Sequence, residues 1–140
     1  MLIAQISDLH VTAAGMRVAG VDTSATLARC VENIGRMDPQ PDAVLATGDL
    51  VESGTLAEYL RLRDLLAPLH APVYVIPGNH DDRGALREAF PDHAYIRPGD
   101  GPIDYAIDRH ELGLIALDTT IPGDFFSREA PYGKHVDFVA

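Results

Sequence analysis

Apolar positions along this chain follow two rhythms. Short runs of Ile, Val, Leu and Ala occur at residues 2–7, 43–47 and 73–76. Short apolar runs rich in β-branched residues and closed by Gly or Pro read as buried strands. Between them the spacing turns helical. Leu27, Cys30, Val31 and Ile34 recur at i, i+3, i+4 and i+7, behind the N-cap types Asp22, Thr23 and Ser24. Pro39 and Pro41 stop that helix. Thr55 is placed to cap a second helix, with Leu56, Tyr59, Leu60, Arg63 and Leu66 along one side and Pro68 and Pro72 bracketing its end. Cys30 and the leucines of the second helix are expected in the core. A short third helix is expected over residues 84–90. Residues 103–107 and 112–117 read as two strands joined by a tight polar turn, Asp108 to Glu111. After Pro122 the pattern weakens.

Strand, helix, strand, helix, strand implies an α/β fold with a parallel sheet and right-handed crossovers. The closing hairpin is expected to be antiparallel or mixed. Polar residues are concentrated where the strands stop. Asp8 with His10, Asp49, Asn79 with His80, and Asp118 each lie just past an expected strand end. In an open parallel sheet those ends share one edge, where ligands bind. Residues 30 to 40 positions apart in the chain thus converge on one crevice. The densest stretch is the third, where Val73-Tyr-Val-Ile-Pro-Gly runs straight into Asn79, His80, Asp81 and Asp82.

Composition narrows the field. The 140 residues suit one domain with a core. A formal net charge of -10 argues against a basic face for long nucleic acid. Part of that acid excess suits metal ligands instead. Cys30 is the only cysteine, so no internal disulfide forms, which is compatible with a reducing compartment such as the cytoplasm. The N-terminus lacks the basic region of a signal peptide, and no apolar run has the length of a membrane span.

Two carboxylates, an imidazole and an amide oxygen form a hard, mixed ligand set suited to Mn²⁺, Zn²⁺ or Fe²⁺. Asp8 and His10 are two apart, so on an extended segment both point the same way. Asp49 has two oxygens and is able to bridge two cations, an arrangement that serves phosphoryl chemistry. His80 is placed to donate a proton or stabilise charge at a leaving group. A carboxylate from Glu52, Asp81 or Asp82 is available to orient that imidazole.

Asp8-Leu-His10, Gly48-Asp49-Leu-Val-Glu52 and Gly78-Asn79-His80-Asp81 resemble, in order and spacing, the first three motifs of the calcineurin-like metallophosphoesterases. The loop sequence and Leu117-Asp118-Thr-Thr look closest to the branch that cleaves cyclic nucleotides and glycerophosphodiesters. The resemblance implies a β-sandwich flanked by helices and a metal-dependent hydrolase of a small phosphodiester. It implies two divalent ions (Mn, Fe or Zn), with Asp8 and His10 on the first, Asp49 bridging and Asn79 on the second. It implies His80 over the leaving group. Glu52 stands where relatives often use Asp to orient that histidine.

The family pattern also asks for three later histidines, including a His-x-His pair. This sequence offers only His110 and His135 after residue 100, with no Gly-His-x-His. The resemblance therefore implies the N-terminal portion of the family domain over residues 1–140, incomplete at the C-terminus, with 124–140 an atypical tail. It also implies an uncovered inner sheet face that asks for a partner. A truncated product, a completing chain and a homo-oligomer all meet that expectation, and so does an impaired fragment that binds at most one metal. Elsewhere, His70 reads as a helix-end cap, His110 as a solvated turn residue, and His93 as solvated or bordering the substrate. His135 reads as a tail residue, and Asp118 as either structural or a support to the ligands.

Overall fold

The computed structural model describes residues 1–109 and 111–120, together with the backbone of 136–139. Expectations for His110, His135 and most of the tail fall outside the described residues.

The first three apolar runs form strands β1 (Ile3–Ile6), β2 (Ala43–Thr47) and β3 (Val73–Ile76), which pair in parallel in the order β1-β2-β3. Helix α1 (Thr23–Gly35) joins β1 to β2, and α2 (Leu56–Leu66) joins β2 to β3. Both begin where the polar signals stand. The Asp22 side chain accepts from Ala25 N, while Thr55 and Glu58 form a reciprocal capping box. Helix α3 (Arg83–Ala89) follows β3 and is capped by Asp82. Strands β4 (Tyr105–Ile107) and β5 (Leu114–Asp118) form the expected antiparallel hairpin, with Tyr105 opposite Ala116. The backbone of β6 (Val136–Val139) pairs antiparallel with β5.

Every residue of β2 is buried, so both faces of the parallel sheet are covered. One core cluster takes in Leu27 and Val31 of α1, Tyr59, Leu62 and Leu66 of α2, and Leu86 of α3. It continues through β2 and β3 to Tyr105, Ile107, Leu114 and Ala116 of the second sheet. Among the described residues the inner face is thus covered along β2 and most of β3, where the inward positions of β4 and β5 join the core, while β1 stays partly exposed. On the opposite face of β5, Ile115 is 46% and Leu117 39% exposed. Strict alternation along β5 puts them there.

Two core expectations shift. Leu60 is exposed, because the buried stripe of α2 runs through Tyr59, Leu62 and Leu66, and Leu60 lies a further 100° round the helix. Cys30 is only half-buried beside the fully inward Leu27, Val31 and Ile34.

The outer edge of β3 is closed by tyrosines. Val75 donates its N–H to Tyr95 Oη at 2.9 Å, and Tyr105 Oη donates to the Val75 carbonyl at 2.8 Å. Burial raises both phenol pKa values above the ordinary range. Such capping satisfies an edge that would otherwise offer unpaired backbone groups.

Candidate metal centre

Beyond β1 and β2 the chain runs on as two adjacent segments. Asp8 N donates to the Gly48 carbonyl at 3.2 Å, His10 N to the Asp49 carbonyl at 2.9 Å, and Val11 N to the Leu50 carbonyl at 3.1 Å. Asp8, His10 and Asp49 all have positive φ, at 54°, 43° and 47°, as does Gly48 at 83°. Left-handed backbone at a non-glycine residue costs about 1–3 kcal/mol and persists only when its surroundings hold it. Here the cross-segment hydrogen bonds hold it. So Asp8 and His10 do not share a face through strand alternation, as their spacing suggested. They reach one place because both residues turn left-handed.

The third segment closes on the second. A Cβ on Gly78 would overlap the backbone N and Oδ1 of Asp49, so only glycine permits this approach. His80 N donates to Asp49 Oδ1 at 3.1 Å. Asp81 lies beneath as a clamp. Its carboxylate accepts from Gly78 N at 2.7 Å, Leu50 N at 3.0 Å, Val51 N at 3.3 Å and Tyr59 Oη at 2.8 Å. Burial raises its pKa, against the pull of these donors. Asp82 is spent on capping α3 through Ala85 N. Neither acid reaches the His80 ring as an orienting group.

Ligand-type atoms of Asp8, His10 and Asp49 lie within 4.8 Å of one another, and so do those of His10, Glu52 and His80. The His10 and His80 rings meet edge to face with centroids 4.7 Å apart. Ser7 Oγ donates to Asp8 Oδ2 at 2.5 Å, fixing that carboxylate. Thr23 Oγ1, at the start of α1, donates to the His10 carbonyl at 2.8 Å. Among the described residues, Asn79 Nδ2 is buried with no hydrogen-bond partner.

Glu52 departs from the expected arrangement. Its Oε2 lies 2.8 Å from His10 Nδ1 but 3.9 Å from His80 Nδ1. His80 Nδ1 instead meets the Glu52 main-chain carbonyl at 2.9 Å.

Asp118 stands apart from the cluster. It pairs with Arg83 through Oδ2 to Nε at 2.6 Å and Oδ1 to Nη2 at 2.9 Å, and accepts from Ile103 N and Thr120 Oγ1. Burial works against its charge, but the donors from Arg83, Thr120 and the backbone outweigh it and lower its pKa. Its place is structural, tying α3 to the second sheet. His93 is half-buried, with Nδ1 2.8 Å from Tyr95 Oη and its ring edge-on to Phe90, and burial lowers its pKa. It is a packing residue rather than a solvated one. Exposed His70 lies beyond the end of α2. The Asp81 clamp and the Glu52–His10 contact had no sequence signal, since each depends on two loops, distant in sequence, meeting.

A model of the calcineurin-like phosphoesterase family matches residues 1–134. The 3',5'-cyclic adenosine monophosphate phosphodiesterase CpdA of Pseudomonas aeruginosa is 37% identical over 124 residues, which is 88% of this chain and 43% of the relative. A probable glycerophosphodiester phosphodiesterase GpdQ of Arcobacter nitrofigilis is 32% identical over 124 residues, 88% of this chain and 45% of the relative. A cAMP/cGMP dual specificity phosphodiesterase of Mycobacterium tuberculosis is 36% identical over 127 residues, 87% of this chain and 39% of the relative. The chain thus spans less than half the length of these relatives. Among the described residues no helix is long and apolar enough to cross a membrane.

Proposed function

The chain belongs to the calcineurin-like phosphoesterase family, and from that premise we propose that it carries the metal-binding half of a phosphodiesterase site acting on a small phosphodiester such as a cyclic nucleotide or a glycerophosphodiester. The observation that carries this reading is the meeting of Asp8, His10 and Asp49 within 4.8 Å.

The residues fit a pair of divalent ions of the Mn, Fe or Zn kind. Two carboxylates and an imidazole are the donors such ions prefer. The buried, unpartnered amide of Asn79 supports the fit, because a half-turn exchanges its nitrogen for the oxygen an ion takes. Asp8 and His10 would hold the first ion, Asp49 would be shared, and Asn79 would hold the second. Divalent ions there supply Lewis acidity, which acidifies water and offsets charge developing on the phosphoryl group.

The chain's own groups do the rest. Asp49 Oδ1 holds the His80 backbone N–H, and so fixes where the imidazole stands relative to the ligands. A carbonyl only accepts, so the Glu52 carbonyl requires His80 Nδ1 to carry a proton. His80 Nε2 is then the atom that would give or hold a proton at the leaving oxygen. In this reading the substrate is a small phosphoester.

A second reading has the isolated chain holding one ion at most and no turnover. It is favoured by the ligand atoms that meet being those of the first ion and the bridge. Elemental analysis after Mn²⁺ loading, with hydrolysis of bis(p-nitrophenyl) phosphate, separates the two. About two ions per chain and turnover that Asp49→Asn abolishes support the phosphodiesterase. Turnover unaffected by Asp49→Asn would sink it.

A further inference from the structure

Glu52 touches both imidazoles of the site with different groups. Its carboxylate takes His10, at 2.8 Å from Nδ1, and its main-chain carbonyl takes His80, at 2.9 Å from Nδ1. His10 therefore faces two ways. Nδ1 meets Glu52, while Nε2 lies 3.9 Å from Asp49 Oδ2, on the side where Asp8 and Asp49 converge. We infer that Glu52 is a positioning residue for His10, its carboxylate holding the Nδ1–H tautomer so that Nε2 is the ligating nitrogen.

The chemistry follows from the acceptors. A carboxylate at hydrogen-bond distance from one ring nitrogen draws the proton there and leaves the lone pair on the other. It also fixes the ring plane and makes the second nitrogen a better donor to a metal. Without Glu52 the tautomers of His10 would mix and the ring would be free to turn. The main chain supports the geometry, because Glu52 N donates to the Val11 carbonyl at 3.1 Å and Val11 N to the Leu50 carbonyl. Those bonds tie the residue after His10 to Glu52 and its neighbours. His80 does not depend on the Glu52 side chain, since the carbonyl survives any substitution at position 52.

This inference rests on the metal reading above, but its first readout does not. In the metal-free chain, ¹⁵N chemical shifts of the imidazoles report the tautomer directly. Glu52→Ala is expected to move His10 from the Nδ1–H pattern to a mixture while the His80 pattern stays. Glu52→Gln, which keeps an acceptor oxygen at the same length, is expected to restore most of the His10 pattern and guards against a folding defect in the alanine variant. Mn²⁺ affinity by titration calorimetry is expected to fall about 10–100-fold for Glu52→Ala, with the number of ions per chain unchanged. An unchanged His10 pattern would overturn the inference, and so would a change confined to His80. Loss of one whole ion per chain would overturn it too, by making Glu52 a ligand. If the unsubstituted chain binds no Mn²⁺, the phosphodiesterase reading fails, while the tautomer result still decides the role of Glu52.

Discussion

The two sheets of this chain divide labour. In the parallel half, β1 to β3, each carboxyl end turns abruptly into a polar loop, and three non-glycine residues there adopt left-handed backbone. In the antiparallel half, β4 and β5 alternate cleanly between buried and exposed positions. Its best-connected acid, Asp118, is neutralised by Arg83 rather than left for a ligand. The difference shows where free energy goes in each half. The first half spends stability to hold unlike groups close together. The second half covers it and closes the edge of β3 through Tyr105. Substitutions should therefore separate the two properties: changes in the second sheet act on stability, and changes at the carboxyl edge act on metal affinity.

The largest effect expected is in the second half. Asp118→Ala removes the carboxylate from Arg83, which keeps only Thr120, and leaves Ile103 N–H without its acceptor. Leaving a buried donor and a part-buried charge without this acceptor costs about 1–3 kcal/mol. Urea unfolding should show that loss, with Mn²⁺ affinity unaltered in whatever fraction stays folded. A large fall in affinity at constant stability would dissolve the division between the sheets.

Asp49→Asn is the mirror case. It removes charge from a buried carboxylate beside Asp8, His10 and the His80 N–H. Losing support for a ligand already weakens affinity about 10–100-fold, and losing the ligand itself should reach at least the upper end. Stability in metal-free buffer should change little or rise, because two neighbouring carboxylates no longer repel. Calorimetric titration and urea unfolding on the same sample check both.

Gly78→Ala should cross the boundary. The added Cβ would run into the Asp49 backbone and Oδ1, so the loops must part. Overpacking of this kind costs about 1–3 kcal/mol. Because the displaced group is Asp49, affinity should fall together with stability. A loss of stability alone would mean that the loops yield without moving the carboxylate.

Much of this division could be read from residue order. The strand ends, the Asp22 and Thr55 caps and the β4–β5 hairpin are local features, set by spacing and turn chemistry over a few residues. The grouping of Asp8, His10, Asp49 and the Asn79–His80 loop followed from parallel topology alone. What escaped depends on long-range register. Glu52 bonds across to His10 because the segments after β1 and β2 run side by side, 42 residues apart in sequence. Asp81 gathers N–H groups from two loops, and Arg83 finds Asp118 35 residues away.

The smallest effect separates the halves by pH. The carboxyl of Asp118 titrates below the ordinary aspartate value, because hydrogen bonds from Arg83, Thr120 and the Ile103 N–H outweigh the opposing effect of burial. A carboxyl with a lowered folded pKa binds fewer protons when folded than when unfolded. Its contribution is therefore complete above the unfolded value, near 3.9, and is lost as pH falls through the folded one. Urea unfolding of the metal-free chain should show an acid-side decline in stability that is shallower in Asp118→Asn, whose amide has no proton to take up. An equal slope for the unsubstituted chain and Asp118→Asn would mean that the Arg83 pair does not distinguish the charged from the neutral acid, and that the second sheet is held by packing alone.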